Sequence, residues 1–227
     1  MGKGKLKKWE ENATFEHVFE PPLDGIIDGR DFMKGTWHRE VFGNDNPITV
    51  ELGCGKGEYT VELARRYPNR NFIGVDIKGH RFWRGAKISK NDGLRNVAFL
   101  RTRIEFIAQF FNENEVNEIW LTFSDPQPKD EKGNKRLTSS PFLARYRKIL
   151  PAHGVVNLKT DSPLLYEFTR EVIAEEKLEV LIDSADVYGS LVNEVDDEMR
   201  DVLSIQTFYE KRWLSEGCKI HFIKFKL

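Results

Sequence analysis

Residues 48–58 read I-T-V-E-L-G-C-G-K-G-E, an apolar run that stops in glycines at 53, 55 and 57. A helical pattern follows at once, with apolar positions at Tyr59, Val61, Leu63, Ala64 and Tyr67. A strand passing through glycines into a helix makes a turn whose backbone bends tightly and admits a ligand with no Cβ in the way. The same residues set aside two phosphate-binding loops. A dinucleotide fingerprint needs glycine where Glu58 stands, and a Walker A loop needs Ser or Thr after Lys56, where the chain has Gly57.

Working outward, strands keep alternating with helical patterns. Further strands are expected at 71–76, 97–100, 118–124 and 154–160, then at 178–182 and 220–225. Helices are expected near 79–90, 105–111, 139–150, after Asp161 (where Pro163 suits a first turn) and 205–215, which Gly217 stops. This pattern predicts an α/β fold, a mostly parallel seven-stranded sheet with helices on both faces. Residues 1–46 are polar and punctuated by Gly and Pro, so they read as an N-terminal extension with one short helix before a domain spanning 47–227. Ligands of such sheets bind beyond the carboxyl ends of the strands. Glu51, Asp76, Asp125 and Asp161 all fall at or near those ends and are expected to converge.

Composition bounds the function. The 227 residues are 40% hydrophobic and 31% charged, enough for one sizeable core. No apolar run approaches the roughly 20 residues of a membrane span, and the lysine-rich start lacks the apolar stretch of a signal peptide. Cys54 and Cys218 give neither a disulfide framework nor zinc-ligand spacing. A cytoplasmic, metal-free protein is expected, with Cys54 a small core residue. Net charge is only −1, so a polyanionic partner would have to meet a local patch. Two basic clusters stand out: Lys3, Lys5, Lys7 and Lys8 at the start, and Lys129, Lys132, Lys135, Arg136, Arg145, Arg147 and Lys148 opposed by Asp130 and Glu131.

The G-x-G-x-G loop preceded by Glu51, with Asp76 closing the next strand, resembles the S-adenosylmethionine site of Rossmann-like class I methyltransferases. Carboxylates suit the ammonium and sulfonium of that cofactor, and a strand-end carboxylate accepts hydrogen bonds from a ribose diol. With D125-P-Q-P-K129 after the fourth strand, T160-D161, and T207-F-Y-E210, the chain from about Pro47 onward resembles the bacterial tRNA (guanine-N7-)-methyltransferases. The resemblance implies methyl transfer from S-adenosylmethionine to N7 of a variable-loop guanosine in tRNA, by a monomer or homodimer. It implies cofactor contacts at Glu51, Gly53, Gly55, Gly57, Asp76, Arg103 and Asp125, with Asp125 also catalytic. Substrate contacts are implied at Lys129, Asp161, Thr207, Phe208, Tyr209 and Glu210. This chain departs from the family pattern at Gln127, where an aromatic is usual, in the interrupted basic run after Lys129, and at Arg103, where the third strand normally ends in an acid.

Chemistry gives these residue types an independent reason. Guanine N7 has an in-plane lone pair and no proton, so the reaction needs no general base. Positive charge passes to the purine, and a fixed carboxylate stabilises it there. Carboxylates such as Asp161 and Glu210 also match the donors on guanine's Watson–Crick edge. Lys129 and Arg136 are expected on tRNA phosphates, and Trp83, Trp120 and Phe123 in the core. The N-terminal lysines suit an RNA-binding arm and a solubilising tail equally. Two alternatives remain at this point: a methyltransferase for another RNA position or a small molecule, and a non-catalytic RNA-binding protein on this scaffold.

Overall fold

The computed structural model describes residues 3–22 and 33–227. Its centre is a sheet of eight strands: β1 (Val18–Phe19), β2 (Ile48–Leu52), β3 (Asn71–Asp76), β4 (Val97–Arg101), β5 (Glu118–Thr122), β6 (Val155–Thr160), β7 (Val180–Ser184) and β8 (His221–Lys226). Their order is β1-β4-β3-β2-β5-β6-β8-β7. Every pairing is parallel except those of β8, which runs antiparallel to both β6 and β7. The expected class I architecture is present, with one strand more than predicted. The addition is β1, two residues pairing Val18 with Phe99 and Phe19 with Leu100, too short to leave a periodicity.

All five residues of β2 are buried, as a strand covered on both faces requires. Ile48, Val50 and Leu52 point to one face, where they meet Ile107, Phe142, Tyr146 and Leu165. Their neighbours point to the other, toward helices α2 (Glu58–Arg66) and α3 (Gly79–Asn91), where Tyr59, Phe82, Phe99, Trp120 and Phe222 form a second core. The pattern near 105–111 is realised as a 3-10 turn over Ile104–Gln109. Then come α4 (Ser140–Tyr146), α5 (Pro163–Glu175), α6 (Asp197–Leu203) and α7 (Phe208–Ser215).

Residues 1–2 and 23–32 of the expected extension lie outside the described residues. Helix α1 (Lys3–Asn12) lies against α3, fastened by Asn12 Nδ2, which donates to Gly79 O at 3.1 Å. Phe15 packs into the second core and Trp37, fully buried, into the first. Trp37 Nε1 donates to Phe110 O at 2.7 Å.

Candidate active site

Three backbone devices stand at the carboxyl end of the sheet; of the four acids expected to converge there, Glu51 lines the cavity between them, and Asp76, Asp125 and Asp161 are not among its lining residues. The first is the glycine loop. Gly53 and Cys54 N–H groups donate to Val75 O, at 2.8 and 3.0 Å, folding the loop back over the end of β3. Gly53, Gly55 and Gly57 all have φ between +57° and +80°. A Cβ on Gly57 would sit 2.6 Å from Phe99, so that glycine serves packing. A Cβ on Gly55 would meet nothing closer than 4.0 Å, so its face is open to a ligand.

Asp76 closes β3 and organises this loop: Oδ2 accepts from Gly55 N at 3.0 Å and Oδ1 from Lys78 N at 2.8 Å. Each oxygen keeps a further lone pair. Glu51 is 3% exposed and accepts from the Thr60 N–H at 2.9 Å and from both the Thr60 and Thr122 hydroxyls. Burial pushes its carboxyl up from 4.5 to about 7, against the pull of those hydrogen bonds. Burial likewise pushes the Cys54 thiol well above its usual value, as suits a core residue.

The second device is the turn after β5. Phe123 (φ +51°) and Gln127 (φ +46°) both adopt left-handed backbone without being glycine. Between them Asp125 is exposed, and its Oδ1 accepts from Gln127 N at 2.9 Å. Arg136 clamps the turn: its Nε donates to Pro126 O at 3.0 Å, its Nη2 to Gln127 O at 3.1 Å, and its guanidinium lies 4.4 Å from the Phe168 ring centroid. At 6% exposure Arg136 is buried, with its guanidinium engaged by the turn, which corrects its expected place on tRNA phosphates. Lys129 is exposed just beyond.

The third device is the start of α7. Thr207 and Glu210 form a reciprocal capping box, at 3.2 and 3.3 Å. Glu210 is fully buried; its Oε1 lies 2.7 Å from Lys159 Nζ and accepts from Tyr188 OH at 2.7 Å. Lys159 also donates to Leu203 O and Ile205 O, at 2.9 and 3.0 Å. Burial lowers the Lys159 ammonium below its ordinary value, and Glu210 opposes that. The Glu210 carboxylate therefore faces inward, away from the guanine edge expected for it. Phe208 and Tyr209 are about half exposed, and Lys56 Nζ lies 4.2 and 5.3 Å from their ring centroids. Phe208 N donates to Glu58 Oε2 at 3.0 Å, tying α7 to the glycine loop.

These devices enclose a cavity of about 170 Å³, lined among others by Glu51, Gly53, Gly55, Thr122, Phe123, Thr207 and Tyr209. Size does not select it. A cleft of about 380 Å³ opens elsewhere between Thr49, Arg70, Glu118 and Lys224, at the amino end of the strands, where no chemical motif falls. Asp161, half-buried, follows β6; burial raises its carboxyl. Ser162, not Asp161, caps α5 by accepting from Leu165 N at 3.3 Å, so the Asp161 carboxylate is not engaged as a cap. Arg103 is exposed beyond β4 and lies 3.3 Å from Glu105. Sequence reasoning missed Thr60, Thr122 and Lys159. A lysine within V-V-N-L-K-T, a central strand, was the available signal for the last.

Comparison with known proteins agrees with this geometry. A family model described as "Putative methyltransferase" matches residues 45–223. A tRNA (guanine-N(7)-)-methyltransferase of Bacteroides fragilis is 52% identical over 227 residues, all of this chain and 87% of that protein. The chain belongs to the tRNA (guanine-N(7)-)-methyltransferase family. Another relative of that name, from Christiangramia forsetii, is 48% identical over 99% of this chain and 98% of its own length. Among solved structures, the 16S rRNA methyltransferase KamB superposes with a TM-score of 0.62 at 15% identity, covering 87% of this chain and 95% of that one. That likeness is one of fold. Among the described residues, no helix is long and apolar enough to cross a membrane.

Proposed function

We propose that the protein methylates N7 of a guanosine in tRNA, in the variable loop, with S-adenosylmethionine as donor. The observation that carries the assignment of roles is the placement of Asp125. Two left-handed residues and the Arg136 clamp hold it, exposed, past the carboxyl end of β5, the strand that pairs with β2. This is the switch point of the sheet, where β2 is flanked by β3 on one side and β5 on the other.

The residues present suit the donor. Gly53 and Gly55 leave the loop open to it, Asp76 keeps lone pairs for a diol, and Glu51 and Asp125 supply negative charge near a cation. S-adenosylmethionine supplies a methyl group on a cationic sulfur. Asp125 then offsets the positive charge that develops on the purine, and because its turn is already fixed it does so without reorganising. No side chain has to remove a proton. Asp161 is the acceptor for the N1–H and amino donors of the base, and Lys129 a phosphate contact. Phe208 and Tyr209, half exposed over Lys56, offer apolar surface to a base that has left its stack. Glu210 acts from inside, anchoring the turn that carries them.

The test is direct. Purified protein, labelled S-adenosylmethionine and an unmodified tRNA transcript are expected to yield N7-methylguanosine on nuclease digestion and mass spectrometry, at one variable-loop position. Label in another nucleoside, or transfer only to a small molecule, would overturn the reading.

A further inference from the structure

Segments far apart in the sequence meet beside the active site. Helix α1, with Lys5 and Lys8, packs along α3, whose N-cap is Lys78 and whose first turns carry His80, Arg81 and Arg84. The groove between them, of about 670 Å³, is lined by Lys8, Lys56, His80, Arg81, Arg84 and Lys87, with Trp83 in its wall. Lys8 and Lys87 place their ammonium groups 4.6 and 5.1 Å from the Trp83 ring centroid. Burial and then the charges of Lys5, Arg81, Lys8 and Lys78 hold the His80 imidazole below its usual value, a sign that their positive fields overlap. Among the described residues two carboxylates lie near the group: Glu11, which pairs with Lys87 at 2.7 Å and accepts from Trp83 Nε1 at 2.8 Å, and Glu20, which lies against Gly79 at the start of α3, and neither lines the groove. Lys56 and Arg81 also line the cofactor cavity, so the groove is continuous with the active site.

In a chain of net charge −1 this is a concentrated field. The basic run from 129 to 148 is weaker than its sequence suggests. Arg136 is buried in the turn, Arg147 pairs with Glu176 at 2.6 Å, and Arg145 donates to the carbonyls of Glu105 and Pro141. We propose that the groove between α1 and α3 holds the ribose-phosphate backbone of the tRNA, outside the catalytic crevice. The inference rests on the tRNA-methylating function and adds where the rest of the substrate runs. Several cations around a half-buried indole suit a polyanion carrying stackable bases. Lys5 and Lys8 then belong to a docked, structured surface.

The full-length protein tests this in a Lys8→Ala/Arg84→Ala variant, with Arg84→Ala alone as an exposed single change. A charge-preserving Lys8→Arg/Arg84→Lys variant is the control. The double variant is expected to raise the KM for tRNA about tenfold at 0.1 M salt. The slope of log affinity against log salt should flatten by about 0.7 to 0.9 for each phosphate that is no longer neutralised. Calorimetric affinity for S-adenosylmethionine is expected to stay within twofold, and the charge-preserving variant to bind tRNA like the parent. Parental tRNA affinity and salt slope in both alanine variants would overturn the groove. So would finding the whole salt-dependent loss in a Lys129→Ala/Lys132→Ala/Lys135→Ala variant. Failure of the parent protein to methylate tRNA would instead remove the function on which the inference stands.

Discussion

Lys159 and Glu210 lie 2.7 Å apart with both side chains wholly inside the protein, joining the last-but-one residue of β6 to the first turn of α7. Removing one partner of a buried pair leaves an uncompensated charge, at a cost of about 3 to 5 kcal/mol. Lys159→Met should lower unfolding free energy by that amount in urea titrations. Lys159→Met/Glu210→Leu should recover part of it, since the Leu203 and Ile205 carbonyls still lack a donor. A cost below about 1 kcal/mol for the single change would mean the pair does not anchor α7.

Arg136 separates a structural guanidinium from a phosphate contact. Arg136→Ala frees the Pro126 and Gln127 carbonyls and loosens the turn that presents Asp125. Turnover is expected to fall at least tenfold while tRNA affinity in filter binding changes little. Arg136→Lys should not restore turnover, because one ammonium cannot reproduce a planar fork. A loss seen mainly in tRNA affinity would return Arg136 to the RNA interface.

Asp125→Asn keeps the turn-closing acceptor and deletes the charge. If the carboxylate acts as a preorganised electrostatic group, kcat should drop about 10²- to 10³-fold, or roughly 2.7 to 4 kcal/mol. Binding of tRNA should persist. Full turnover in this variant would sink the electrostatic role.

Two glycines of the loop should respond differently. Gly57→Ala drives a Cβ to 2.6 Å from Phe99 at φ +71° and is expected to destabilise the fold by about 2 kcal/mol or more. Gly55→Ala meets no clash, so it should fold with a penalty of about 1 kcal/mol for its left-handed backbone and lose cofactor affinity. Thermal melts and calorimetry of both variants check this; equal behaviour would refute the division of labour.

Glu51 makes stability depend on pH. Its folded-state value, about 7, lies above the ordinary 4.5, so the folded protein binds more protons between those values. Its contribution is therefore fully present below about pH 4.5 and lost as pH rises through 7, by up to roughly 3 kcal/mol. Glu51→Gln should flatten the cofactor-free stability profile in that window. An unchanged slope would assign the dependence to other groups.

Much of this was legible in sequence because strands buried on both faces leave uninterrupted apolar runs, and the turn chemistry between them is local. Asp76, Asp125 and Asp161 could be placed from strand ends alone. What failed depends on distance in three dimensions. A two-residue strand such as Val18–Phe19 has no period to detect. Charge patterning cannot tell that Arg136 turns inward onto carbonyls while Lys129 stays out. Glu210 and Lys159 are 51 positions apart in the chain, and nothing local to either announces the other. The groove of Lys8, Lys56 and Arg84 draws on separate segments, and nothing local to any one of them announces the others.

The reversed direction of β8 bears on how the molecule can be handled. Because β8 enters beside Thr160 and runs back to Val155, its last residues finish at the amino end of the parallel strands, remote from the crevice, where Leu227 N donates to Gly154 O at 3.0 Å. Six residues of strand place that point roughly 20 Å from the catalytic rim. A fluorophore or surface tether attached after Leu227 would report on, or immobilise, the enzyme while leaving the path of the RNA clear.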